Sequence, residues 1–187
     1  MRVITGKYKG RKLEAPSGDA VRPTSDKVRE AIFDLLMNDV YGSKVVDLFA
    51  GSGSLGIEAL SRGAEKCWFC DRSRESIGFV KRNLRNLGIE DGTVLIQGDY
   101  RKALGRIKEK VDIVLLDPPY ADGLYEDALA LVGSLDLLAD DGIIIAEHDA
   151  HLALPEKVGG LSIAKTRKYG RTMVSIYRKD NDPGGDE

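Results

Sequence analysis

"KVVDLFAGSGSLGIEALSRG" (residues 44–63) passes from a short apolar run, through a glycine-rich turn, into a helical pattern closed by Gly63. Gly51, Gly53 and Gly56 stand in G-x-G-x-x-G spacing, directly after a predicted strand and at the opening of a predicted helix. In that context the spacing has a mechanical meaning: a tight turn, close backbone approach to a ligand, and helix N–H groups aimed at it. A purely structural turn would also use glycines. The first βα junction is where a nucleotide-type ligand would sit, and that is the reading the position favours.

The alternation continues outward. "KCWFCD" precedes "SRESIGFVKRNLRNLG", in which Ile77, Val80, Leu84 and Leu87 share a helical face and Gly88 ends it. "TVLIQ" precedes a short helix around "YRKALGRIKE", "VDIVLLD" precedes a helix through "YEDALALVGSLDLL", and "GIIIAEH" is a fifth strand. "LSIAKTRKYG" and "RTMVSIYRK" read as a closing hairpin turned at Gly170. Upstream, "RPTSDKVREAIFDLLMND" predicts a helix with Val28, Ala31, Ile32, Leu35 and Leu36 on one face and Thr24 or Ser25 as its cap. Strands alternating with helices indicate a mostly parallel sheet covered on both faces. The expected fold is a Rossmann-like α/β domain of seven strands with an antiparallel C-terminal hairpin. Its expected bounds are 22–179, after a basic β arm over 1–21 and before a flexible acidic tail over 180–187.

The 187 residues suffice for one domain with a real core, and 42% hydrophobic with 31% charged residues is ordinary for a globular protein. No apolar run approaches a membrane span or a signal peptide, and two cysteines imply no disulfide framework, so a cytoplasmic setting and a monomer are expected. A net charge of −2 argues against nucleic acid, but its distribution argues otherwise. Arg2, Lys7, Lys9, Arg11 and Lys12 have no acid among them, and six Lys or Arg residues lie between Lys165 and Lys179, again without an acid. A local basic face and an ordinary solvated surface explain that layout equally well.

Asp71 ends the second strand twenty residues after Gly51, where a carboxylate can accept from ribose hydroxyls. Asp47 lies inside the cofactor loop, with Phe49 beside it. That acid would repel a pyrophosphate but welcome an ammonium and a sulfonium, which points to S-adenosylmethionine rather than NAD. Asp99 ends the third strand, placed to accept from an adenine amino group with Tyr100 beside the ring, and a helix-cap role for Asp99 is compatible. "DPPY" (117–120) ends the fourth strand on the same carboxyl edge. An exocyclic base nitrogen is a poor nucleophile because its lone pair is delocalised. Asp117 and the Pro118 carbonyl offer two acceptors for its hydrogens, Tyr120 offers a stacking face, and the prolines hold these groups in place.

"GKYKGRKL" (6–13), "RPTSDKVREAIF" (22–33), "DLFAGSGSLGIEALSRGA" (47–64), "GDY" (98–100) and "DPPY" together resemble the bacterial RsmD family of 16S rRNA guanine-N2 methyltransferases. The glycine loop and "DPPY" are shared by amino-methyltransferases generally; the arm with "RPT-x-D-x-VREA-x-F" is the more specific part. The resemblance implies a Rossmann-like methyltransferase using S-adenosylmethionine, without a metal, on one guanosine of 16S rRNA, in assembled or late 30S particles. It would place Asp47, Phe49, Gly51, Gly53 and Thr24 around the cofactor, Asp71 on its ribose and Asp99 with Tyr100 on its adenine. Asp117, Pro118 and Tyr120 would hold the target base, and Lys7, Lys9, Arg11, Lys12 and Arg22 would meet RNA. A DNA adenine-N6 methyltransferase can share "DPPY", but the chain shows no separate DNA-recognition domain. An NAD-dependent oxidoreductase would share the glycine loop, but not Asp47. "CWFC" (67–70) has metal-ligand spacing with "HDAH" (148–151) as partner, yet residues i and i+3 of a strand face opposite ways, so core packing is expected.

Overall fold

A computed structural model of the chain describes residues 1–16, 25–119 and 123–180. Five parallel strands form its centre: β1 (Lys44–Asp47), β2 (Lys66–Asp71), β3 (Thr93–Gln97), β4 (Val111–Leu116) and β5 (Leu138–Asp149). The sheet continues antiparallel through β8 (Thr172–Lys179), β7 (Leu161–Tyr169) and the two-residue β6 (Lys157–Val158), in the order β3-β2-β1-β4-β5-β8-β7-β6. The sheet thus has eight strands where seven are expected from the sequence. The extra one is β6, too short to show a period-2 pattern. This is the expected Rossmann-like, doubly wound architecture, with its C-terminal strands antiparallel.

Helices α1 (Asp26–Leu35), α2 (Ser54–Ser61) and α3 (Arg74–Leu87) pack on one face, and α4 (Tyr100–Arg106) and α5 (Leu124–Ser134) on the other. The strands serve both cores by alternation: Val45 and Cys67 belong to the first core, Val46 and Trp68 to the second. Cys67 and Cys70 are buried on opposite faces as free thiols, as their spacing in a strand requires. Burial pushes the Cys70 thiol up to about 12, with Asp47 adding to it, so it is an inert core residue. Among the described residues no helix is long and apolar enough to cross a membrane.

The buried face of α1 differs from its predicted stripe. Ser25 caps the helix, and the buried residues are Val28, Arg29, Ile32 and Phe33, while Ala31 and Leu35 stay partly exposed. Arg29 is wholly buried. Its Nη2 donates to the Arg2 carbonyl and to Asp26, and Glu58 and Glu147 lie close enough to favour its charge against the desolvation that lowers its pKa. The buried face is thus centred on Ile32 and Phe33, and the arm brings a carbonyl to the guanidinium at its edge.

The arm contains one antiparallel bridge, Arg2 to Lys12, rather than a strand pair. Its backbone is satisfied partly within the arm, where Val3 N–H donates to the Arg11 carbonyl, Gly10 N–H to the Val3 carbonyl and Leu13 N–H to the Met1 carbonyl, and partly by side chains from the helices beneath. Ile4 and Thr5 N–H groups donate to the two oxygens of Glu58 at 2.8 and 3.0 Å, Tyr8 N–H donates to Ser61 Oγ, and Glu14 N–H donates to Asn83 Oδ1. Glu58 is fully buried and also accepts from Arg62 at 2.9 Å. Glu58→Gln keeps an acceptor there but removes the charge that faces Arg62 and Arg29. Its expected cost is about 1–3 kcal/mol of folding stability, read by urea unfolding. An unchanged midpoint would mean that Ser61 and Asn83 alone hold the arm.

Candidate active site

Strand order reverses between β1 and β4, which makes their carboxyl ends the switch point where open α/β sheets collect ligands. Asp47 pairs in register with Leu115, and the Leu48 N–H donates to the Leu115 carbonyl at 3.1 Å. Asp117 follows directly on β4, close enough to the end of β1 for its charge to act on Asp47. The loop and the proline corner are therefore neighbours across the switch point.

The loop is built for close approach. Gly51 and Gly53 have φ of +54° and +80°, a region that side chains rarely adopt, and Gly53 caps α2. Gly56 is needed for a different reason: a Cβ there would fall 2.4 Å from Phe69 Cε1 and 2.7 Å from Cys67 Sγ. Its hydrogen lets α2 settle onto β2. The Gly56 N–H, in the first turn of α2, donates to Asp47 Oδ2 at 2.9 Å.

Asp47 is only 2% exposed. Burial pushes its carboxyl up to about 7; the Gly56 hydrogen bond opposes this, and the negative fields of Asp117 and Asp71 add to it. Three acids thus converge here, while residues 47–56 contain no basic side chain. Such a site rejects a pyrophosphate and suits a cation.

Asp71 is the hub of the neighbouring turn. Its Oδ2 accepts from the Gly51 N–H at 2.9 Å and its Oδ1 from the Ser73 N–H at 2.8 Å, so each oxygen keeps a lone pair for a ligand while bracing the loop. Asp99 caps α4 by accepting from the Arg101 N–H at 2.9 Å, and its side chain is half exposed. The Tyr100 ring packs on Phe49 with centroids 5.5 Å apart, and its buried hydroxyl has no partner among the described residues. The two rings meet at the carboxyl ends of β1 and β3. At the corner itself Asp117 is partly buried, Pro118 buried and Pro119 exposed. Tyr120, Thr24 and Arg22 lie outside the described residues.

Behind this edge, His148 is buried in β5, with Nε2 2.8 Å from Ser175 Oγ and Nδ1 3.0 Å from the Asp149 carbonyl. It is a satisfied core histidine rather than a strand-end ligand, and burial lowers its pKa.

The family described as "Conserved hypothetical protein 95" matches residues 1–178. A Bacillus subtilis protein, YlbH, provisionally described as an rRNA methyltransferase, is 44% identical over 182 residues, covering 96% of this chain and 99% of its own. Ribosomal RNA small subunit methyltransferase D of Haemophilus influenzae is 37% identical, with 95% and 93% covered. The solved Escherichia coli protein yhhF, provisionally described as a methyltransferase, superimposes with a TM-score of 0.86 at 30% identity, covering 96% and 97%.

The chain belongs to the RsmD family.

The basic residues singled out in the arm of this RsmD-family chain are all exposed, but they are not equivalent. Lys7 lies over the Tyr8 ring at 5.3 Å, and Arg11 Nη2 donates to the Asn86 carbonyl at the end of α3. Lys9 and Lys12 make no ion pair among the described residues and point their charge to solvent. The residue that sequence reasoning missed is Asn83. It is 1% exposed, and its Nδ2 donates to both the Glu14 carbonyl in the arm and the Ser52 carbonyl in the glycine loop, each at 2.9 Å. One amide therefore ties the basic arm to the cofactor loop. Its only trace in the sequence is a polar residue on the apolar face of α3.

Proposed function

We propose that this chain transfers a methyl group from S-adenosylmethionine to the exocyclic N2 amino group of a guanosine in small-subunit rRNA, by direct in-line displacement. The observation that carries the chemistry is the adjacency of the proline corner, with Asp117 at its head, to a glycine loop that holds a buried acid and no base. Asp47 and its acidic neighbours suit the ammonium and sulfonium of the cofactor, and the Asp71 lone pairs suit its ribose. Asp99 and the Phe49–Tyr100 wall suit the adenine. When bound, the cofactor supplies an electrophilic methyl group on a positively charged sulfur.

The chain's own part is to present the nucleophile. Asp117 and the Pro118 carbonyl accept the two N2 hydrogens, which favours a pyramidal nitrogen with its lone pair aimed across the switch point. As the N–C bond forms, the nitrogen must lose one proton, and Asp117 is the acceptor already bonded to it. Tyr120 supplies a stacking face for the extruded base. Substrate class is supported by the relatives named for small-subunit rRNA and by the basic arm tied to the cofactor loop.

The test is transfer of tritiated methyl from S-adenosylmethionine to 30S particles, naked 16S rRNA and DNA, all from cells lacking this activity, with the labelled nucleoside identified by mass. N2-methylguanosine is expected, and the better acceptor shows whether bound proteins shape the target. Label in N6-methyladenine of DNA would instead make the chain a DNA methyltransferase.

A further inference from the structure

The β7–β8 hairpin carries a cationic ridge that the proposed site does not use. Lys165, Arg167 and Lys168 on β7 and Arg171 in the turn are exposed, and none forms an ion pair among the described residues. At the opposite, amino edge of the sheet the lysines behave differently. Lys44 and Lys66 share Glu109, and Lys110 and Lys179 share Asp136. Cations are thus neutralised at one edge and left open at the other.

Register places the open ridge relative to the chemistry. Leu116 of β4 is level with Ala146 of β5, so Asp117 is level with Glu147. Glu147 pairs with Val174 of β8, and Val174 with Arg167 of β7. Arg167 therefore stands in the row of Asp117, three strand spacings away, or roughly 14 Å. Lys168 and Arg171 lie beyond it toward the carboxyl edge, on the same side of the sheet as the crevice mouth. The acid in this row, Glu147, sits two strands inward on β5.

We propose that this ridge is a second RNA contact, which receives backbone phosphates flanking the nucleoside held at the proline corner; it rests on the reading of the chain as an RNA methyltransferase. A base can reach Asp117 only if its own strand lies along this edge, and open cations three strand spacings along that path meet flanking phosphates without reading sequence. The alternative occupant is an acidic peptide strand added to the free edge of β7, which β6 covers only at Leu161 and Ser162. A bulge between Ile163 and Lys165 and charged side chains on both faces of β7 disfavour that addition.

The experiment neutralises the ridge with Lys165→Gln, Arg167→Gln, Lys168→Gln and Arg171→Gln together. Affinity for 16S rRNA and 30S subunits is measured over a salt series, alongside methyl-transfer KM and kcat. Binding should weaken on the order of tenfold or more, and the slope of log K against log salt should become shallower by about two to four. S-adenosylmethionine affinity and thermal midpoint should stay unchanged. Arg106→Gln with Lys108→Gln, at the end of α4 and just after it, removes two cations from a different element and should leave the slope alone. An unaltered affinity and slope would overturn the proposal. So would self-association of the variant with normal RNA affinity, which would assign these charges to guarding the sheet edge, or selective loss of binding to an acidic peptide. RNA binding that needs the ridge without any methyl transfer would keep the ridge and remove the proposed chemistry; methyl transfer with normal KM and slope would do the reverse.

Discussion

Asp117→Ala is expected to lower the single-turnover rate of methyl transfer by on the order of 10²–10⁴, with S-adenosylmethionine affinity within a few-fold of the original. The size follows from two jobs done by one group, holding an N2 hydrogen before transfer and accepting a proton after it. The selectivity for rate follows from position. Asp117 follows the fully buried Leu116 and precedes the buried Pro118, so the backbone that carries it is fixed with or without the carboxylate. Cofactor affinity is protected by a second effect: the negative field of Asp117 raises the Asp47 carboxyl, so its removal eases Asp47 ionisation. Asp117→Asn, which keeps one acceptor and loses the base, should fall between the two. Rates from single-turnover mixing and affinity from calorimetry separate the cases. A loss that appears in affinity rather than rate would show that Asp117 faces the cofactor instead of the base.

What was readable in the sequence is what local chemistry decides. Each acid of the crevice is the last residue of a strand or stands just after it, so a correct strand assignment places it on the carboxyl edge without any tertiary knowledge. The same holds for Gly88, whose left-handed φ of +69° ends α3, and for the cysteines split between two cores by strand alternation. Asp71 and Asp99 were legible as carboxylates at strand ends, and Asp99 also as the cap of α4; the bracing of the glycine loop by Asp71 belongs to the fold.

What was not readable depends on contacts between distant segments. Helical spacing puts Arg29 on the edge of the apolar face beside Ile32, Phe33 and Leu36, where a charged side chain is expected to reach out to solvent. It is buried because the Arg2 carbonyl and Glu58, which come from two other segments, converge on it. Asn83 is polar on an apolar face for the same reason, since both of its acceptors lie far away in the chain. The arm's Gly turns and short strands give a small antiparallel pairing, with Val3 bonded to Arg11 and Leu13 to Met1 through the main chain. Its further hydrogen-bond partners are side chains of α2 and α3, which no local pattern encodes. The functional edge was therefore easier to read than the device that holds the arm against it.

Asp47→Asn should separate stability from binding more sharply than any other single change. In the unfolded chain this carboxyl titrates near 3.8, and in the folded chain it is pushed up to about 7 by burial. Folding therefore takes up a proton between those values. The stabilisation is complete below pH 4 and is lost as pH rises to about 7, a decline of a few kcal/mol by linkage. Asparagine cannot ionise, so the variant should be the more stable apo protein above pH 7, read by urea unfolding at pH 5 and pH 8. Cofactor binding has the opposite sign. A bound cation favours the ionised acid, so S-adenosylmethionine affinity of the natural protein should rise up to tenfold per pH unit until about pH 7 and then level, with proton release on binding. The variant should lose affinity on the order of a hundredfold at pH 8 and lose the pH dependence with it. Calorimetry in two buffers of different ionisation enthalpy counts the released proton directly. An affinity in the natural protein that is flat from pH 5 to pH 8 would mean that Asp47 stays neutral under the cofactor. Its buried carboxyl would then serve only to anchor the Gly56 N–H at the start of α2.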